Sequence, residues 1–542
     1  MSRQSQAKVA ARYNRWSIFI SMTALAAAFA SVADAAASRP VKAARPLSPF
    51  IEQKWQDFQN NPVQFMNTLP PKKGATTLAP RFSPTDIKGN AFVTKKSLSR
   101  TTCDESGVCM QDILEGRAAA RESSQDFFDL REFTAGTPIY RLEEMDAANL
   151  LQSSLPETPW SDTYWPLYMG GLGARYADGH FLTKGNWKGY YDFITSEDSS
   201  LKRIADNGDE LDTLSPSEKY DLLIGDLTAN GSVYEHGYLT PFMWNEGKAY
   251  WDDKGEVEGW MGLCHGWAPA AYMAPRPTKT VETVSADGRS TLKFYPSDIK
   301  GLTTYLWAKA RTPSRFIGGR CNDKDAKVDE ESGRILDEKC FDTNPANWHT
   351  IIVNQIGVAK KSFVMDATYD YQVWNQPVYS YSYSYFNPKT GKAVGSLDEA
   401  KVELSDFRKD KFKKFRSRHA VAVVGIEMEV TYVVETRASH AEYDSADRDA
   451  VSSVTYMYDI ELDEDGNMIG GEWYHNAHPD FLWSPAAGAR AESYGDSRVT
   501  ATDWDGTSPL PAFWKDIAVQ TALRTGLPLA SIVEGLTAAS NR

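Results

Sequence analysis

The stretch HAVAVVGIEMEVTYVVET, residues 419–436, most constrains what this chain can fold into. It is dense in β-branched residues, with a tyrosine near its end, and reads as one long strand. The peptide groups of such a strand must all be paired, so it demands partners. HTIIVNQIG (349–357), KSFVMDATYD (361–370) and VSSVTYMYDIEL (451–462) have the same character, and DEDGNMIGGEW (463–473) reads as a hairpin turn feeding another strand. Residues 345–475 are therefore expected to be mainly β. YSYSYSYF, 379–386, alternates strictly and reads as one edge strand. Helical signals lie on either side. LSPSEKYDLLIGDL has a capping serine at Ser215, and residues 511–540 show helical periodicity. The expected fold class is α+β with a large antiparallel β portion.

The first 35 residues stand apart. Arg3, Lys8, Arg12 and Arg15 precede the apolar run WSIFISMTALAAAFASVA, and Ala33–Ala35 fits a small-residue cleavage site. This is the pattern of a secretory signal peptide. The expected location is outside the cell, or the periplasm of a Gram-negative host. No later run approaches the roughly 18 apolar residues of a membrane helix, so no stable membrane span is expected. Residues 36–120, rich in Pro, Ala, Lys and Ser, read as a low-complexity linker or propeptide, and 121–542 as the catalytic region. The net charge of −13 argues against nucleic-acid binding. With no phosphate-binding glycine motif, nucleotide cofactors are not expected. The hydrophobic share of 42% is that of a globular protein, expected to be a monomer.

Five cysteines in a secreted chain leave one over. Cys103 with Cys109, and Cys321 with Cys340, each bracket a polar loop and are expected to form local disulfides. Cys264 has no partner left, and an odd cysteine in such a chain is a candidate reactive thiol. Its setting, WMGLCHGWAPAAY (260–272), reads as a glycine-bounded turn entering a helix. A helix N-terminus favours the thiolate.

The adjacent His265 is a poor base, since neighbours on a helix project about 100° apart. His349 is better placed. If 349–355 and 362–366 form a hairpin, Ile351 pairs with Asp366, and His349 lies diagonally across from Asp366 on one face. A one-residue slip would separate them. His419 and His478 are the rival bases. The expected catalytic set is Cys264, His349 and Asp366: nucleophile, base and orienting acid.

GLCHGWAPA, the His349 segment followed by MDATYD, and VWNQPV (373–378) together resemble the transglutaminase-elicitor family: secreted, calcium-dependent transglutaminases of oomycetes with bacterial relatives. GGEWYHNAHPDFLW and the C-terminal helical segment also look like family segments. The resemblance spans roughly residues 120–540. It implies a papain-like, transglutaminase-like cysteine–histidine core. It implies acyl transfer from protein-bound glutamine to lysine through a Cys264 thioester, on glutamine- and lysine-bearing protein substrates. It implies Ca2+, for which Asp206, Asp209, Asp463 and Asp465 are the candidate ligands. Val373, Trp374, Asn375, Gln376 and Pro377 match the start of a peptide that plants recognise in that family. The continuation YSYSYSYF departs from the family pattern. Trp244, Trp251, Trp260 and Trp267 are the expected substrate-binding aromatics; such a wall would keep water from the thioester. Without it, the same residues would make a papain-like protease or amidase. The third reading is a non-catalytic effector displaying the 373–378 segment.

Overall fold

The computed structural model describes residues 50–74, 133–134, 137–208, 210–227, 234–319, 327–336, 343–368, 372–499 and 504–542. The signal-like segment, Cys103, Cys109, Cys321, Cys340 and Asp209 lie outside them.

The long strand forms as Ala422–Val434 and pairs along its whole length with Ala450–Leu462. The main path of the sheet runs 72–74, 450–462, 422–434, 375–386, 364–366, 481–485, 314–318, every neighbour antiparallel. The expected α+β class with a large antiparallel sheet is what the chain adopts. The tyrosine-serine strand, Asn375–Phe386, is interior rather than an edge. Ala422–Val434 flanks it on one side, and Gln152–Ser154 and Val364–Asp366 on the other. Its tyrosines at 381, 383 and 385 are buried. That burial makes a strand of alternating serine and tyrosine stable inside a sheet. The register shifts between Thr431 and Tyr432, where this strand bends.

The two faces of the sheet carry different cores. Val364, Trp483 and Phe316 pack with the helices Cys264–Met273 and Pro296–Lys309. Met365, Leu482 and Ile317, their neighbours along each strand, pack with the helix Pro345–Ile352. Alternation of side chains along a strand separates the two sets.

Part of the expected low-complexity linker is folded. Ile51–Asn60 and Pro62–Met66 are helices, and Lys72–Gly74 pairs with 452–454 at the sheet edge. Phe58 is buried against Phe412, ring centroids 5.4 Å apart, and Tyr474. Trp55 Nε1 donates to the Pro388 carbonyl at 2.9 Å. Proline and lysine in this stretch mask a short amphipathic helix with isoleucine, tryptophan and phenylalanine on its inner side.

The segment 349–357 is not a strand. Asn344 caps a helix, its Oδ1 accepting from Ala346 N at 2.8 Å, with Pro345 in the first turn. The helix passes into a π-helical stretch, Val353–Ala359. Ile351, Ile352 and Val353 are fully buried. Tertiary burial overrides their strand preference.

Candidate active site

Cys264 is the first residue of its helix, where the N–H groups have no partner within the helix. Leu263 N donates to Tyr164 O at 2.6 Å, locking the turn to the 160–165 loop. Gly262 is needed here for packing: a Cβ would sit 2.5 Å from the Tyr164 ring. Gly266 lets the helix touch its neighbour, since a Cβ would lie 2.3 Å from Thr304 O. Pro269 lies inside the helix, so the His265 carbonyl loses its helical donor.

The thiol is free and buried. Sγ lies 3.6 Å from the Val373 carbonyl, and Asn375 Nδ2 donates to it at 3.4 Å. Asn375 is itself fixed, its Oδ1 accepting from Trp483 Nε1 at 2.8 Å. Tyr164, Trp374 and Trp260 pack around the sulfur. Burial pushes the thiol up to about 11; Asn375 acts against that, while Glu435 and Asp366 add to it. Desolvation outweighs the helix terminus, and the resting group is a thiol rather than the expected thiolate.

Asp366 lies on the same sheet face as Cys264, two residues from Val364. Its Oδ1 accepts from Thr368 N at 3.2 Å, Thr368 Oγ1 at 2.8 Å and Trp374 N at 3.1 Å. It holds both Thr368 and Trp374, and Trp374 packs on the sulfur. Glu435 is also near enough to act on the thiol electrostatically, and is almost wholly buried.

His349 is on the other face. It is fully buried, with Nδ1 2.8 Å from Tyr458 Oη and its ring edge-on to Tyr383, centroids 4.7 Å apart. Burial lowers it to about 3, so it is neutral near pH 7. The expected diagonal pairing with Asp366 does not form, because His349 is helical and a sheet layer separates it from Cys264. No other histidine takes its place. Among the described residues none hydrogen-bonds Cys264. His265 turns toward Ala308 and Lys309, His419 sits beside Arg418, and His478 stacks on Trp473 at 4.8 Å.

The tryptophans divide as well. Trp260 lines the site, its Nε1 donating to Glu258 Oε2 at 2.5 Å. Trp267 is buried with Nε1 on Trp160 O, Trp244 fills the space above Gly170 and Gly173, and Trp251 packs on Trp187. Those three are packing residues. Trp374 packs with Cys264 instead. The segment Val373–Pro377 is a buried wall of the site, not a display loop: Gln376 is 0% exposed and Asn375 5%.

Among the described residues, the carboxylates expected for calcium do not converge. Asp206 pairs with Lys202 at 2.6 Å. Asp463 closes its own turn, accepting from Asp465 N, Asn467 N and Asn467 Nδ2. No group of three or more His, Cys, Asp or Glu is arranged to hold a metal ion among the described residues. Asp206, Asp463 and Asp465, the described candidates, do not by themselves supply the six or more convergent oxygens of a calcium site, and Asp209 lies outside the described residues.

Asn375, expected as part of a recognition motif, stands beside the sulfur, and so do Tyr164 and Glu435, which the sequence did not point to. Asn375 had one available signal, its place in VWNQPV. Glu435 had only the oddity of a carboxylate ending an apolar strand.

Among solved structures, the chain is similar to the GP42 transglutaminase from Phytophthora sojae, with 20% identity and a TM-score of 0.43 over 67% of this chain and 91% of that one. No curated protein sequence matches it. The transglutaminase elicitor family model matches residues 252–502, which hold Cys264, Asp366, Asn375 and Glu435. No described helix is long and apolar enough to cross a membrane. The region built around Cys264, residues 252–502, belongs to the transglutaminase elicitor family.

Proposed function

We propose that this protein is a secreted transglutaminase in which Cys264 is the nucleophile. The observation that carries this reading is a free cysteine at a helix N-terminus, clasped by the Asn375 amide and roofed by Trp374, Trp260 and Tyr164. Cys264 Sγ attacks the γ-carbonyl carbon of a protein-bound glutamine. The C–N bond breaks, the thiol proton leaves with the amide nitrogen as ammonia, and a thioester remains. A lysine amine then attacks the thioester, its lost proton returns to sulfur, and an isopeptide bond forms.

The developing oxyanion would be met by the Cys264 N–H at the start of the helix. Asn375 would position the sulfur, and Asp366 would hold Trp374 in place. The aromatic roof would exclude water from the thioester, favouring the amine over hydrolysis. His349 has no step in this scheme.

The test is incorporation of a labelled primary amine into a glutamine-rich acceptor protein, with and without calcium, beside Cys264→Ala. Incorporation that disappears in the variant supports the reading. Ammonia release or peptide cleavage without incorporation would replace it with a hydrolase.

A further inference from the structure

The strand Ala422–Val434 delivers Glu435 to the back of the active site. Glu435 is 1% exposed. Its Oε1 accepts from Gln376 Nε2 at 2.8 Å. Its other oxygen, Oε2, is buried with no hydrogen-bond partner, and so is Gln376 Oε1. The Glu435 backbone N–H also acts on its own carboxyl, but Oε2 and Gln376 Oε1 stay buried without a hydrogen-bond partner, a costly arrangement. One proton on Glu435 removes both deficits.

Among the described residues no side chain offers a further remedy. Tyr164 faces Glu435 from the 160–165 loop, Cys264 from the nucleophile helix, and Tyr432 from its own strand. Asp162 lies on the same loop, its carbonyl accepting from Thr436 N at 2.9 Å. Asp366 acts on the thiol from the adjoining strand. Gln376 is the one side chain bonded to the carboxyl, and no lysine, arginine or histidine forms an ion pair with it among the described residues.

We propose that Glu435 is held as the neutral acid in a two-point acid–amide pair with Gln376, and that loss of its proton damps the reactivity of the Cys264 thiol. Gln376 Nε2–H donates to Glu435 Oε1, and Glu435 Oε2–H donates to Gln376 Oε1. Gln376 adjoins Asn375, whose amide holds the sulfur, so the pair sets the backbone behind that contact. Ionisation has two effects. The second hydrogen bond is lost, and a negative charge with no counter-ion appears close to the sulfur, opposing the thiolate. Burial lifts the carboxyl up to about 7, so the change falls within the working range of a secreted enzyme. Glu435 is thus a positioning residue that makes the nucleophile less responsive to rising pH than a lone thiol.

The inference rests on Cys264 being the reactive thiol of the proposed transferase, but not on its transferring acyl groups. The experiment therefore reads alkylation rather than turnover. The full chain is treated with iodoacetamide from pH 5.5 to 10, and modification of Cys264 is followed by peptide mass mapping. Glu435→Gln keeps a two-point pair, amide to amide, and cannot ionise. Its alkylation rate is expected to match wild type near pH 6 and to exceed it roughly 3- to 10-fold at pH 8.5. A ratio constant across the range would overturn the proposal. Wild type alone provides a second test should the variant fold poorly. Its profile is expected to show an extra inflection near neutrality, and a single ionisation would overturn the proposal. Failure of amine incorporation with the pH effect intact would refute the transferase reading and leave this one standing.

Discussion

The two faces of the sheet hold the same kinds of catalytic-looking residues in opposite circumstances. On one face Cys264 sits between an amide, a carbonyl and two carboxyl groups, under an aromatic roof. On the other, His349 is sealed among tyrosines and aliphatic side chains, its one ring bond made to Tyr458. Cys264 has polar contacts around its sulfur and stands at the N-terminal end of a helix. The histidine is part of a core. A sheet one layer thick separates the two, and residue type alone does not tell their settings apart.

Several substitutions break or sharpen that contrast. The largest effect belongs to the nucleophile face. Cys264→Ala should lower amine incorporation by at least ~10³-fold without changing the denaturation midpoint. Asn375→Ala comes next, because it removes the donor to sulfur and strands Trp483 Nε1. A loss of roughly 10²-fold in transfer is expected, and activity within twofold of wild type would show that the contact is passive.

The histidine face should respond in the opposite currency. His349→Ala opens a buried cavity and leaves the Tyr458 hydroxyl short of a partner. Urea titration should report about 2–4 kcal/mol of lost stability, while turnover per folded molecule stays within about threefold. A folded His349→Ala protein with no activity would return His349 to catalysis.

The smallest effect is on the pH dependence of stability. Burial holds His349 at about 3 when folded, against about 6.5 unfolded. A depressed histidine binds its proton in the unfolded state first. Its contribution is therefore complete above pH 6.5 and is lost as pH falls toward 3. In His349→Phe the slope of unfolding free energy between about pH 6 and 4 should flatten by about 1.4 kcal/mol per pH unit. An unchanged slope would mean that the ring is protonated in the folded chain.

Much of the nucleophile face was legible in the sequence, and little of the other. Glycine, cysteine and tryptophan around residue 264 announced a turn into a helix, and the cysteine count singled out the thiol. Asp366 was placed on a strand, and the structure keeps it there. The His349 segment misled because Thr350, Ile351, Ile352 and Val353 carry strand preference, while its helix signals, Asn344 and Pro345, lie just upstream. Three of the four chosen tryptophans are packing residues for a similar reason: composition does not say which aromatic reaches a cleft. The 373–377 segment read as a surface because it was weighed as a linear motif. Its burial follows from pairing with Val364–Asp366, a contact that no local pattern encodes. Residues 51–74 were hidden by their flanking prolines and lysines.

Burial of the 373–377 segment also bears on how the protein is detected. Trp374, Asn375 and Gln376 are hidden in the native chain. An antibody raised against the linear peptide VWNQP would therefore stain denatured or proteolysed material and miss the native form. Such a reagent would be a gauge of conformational integrity rather than of abundance.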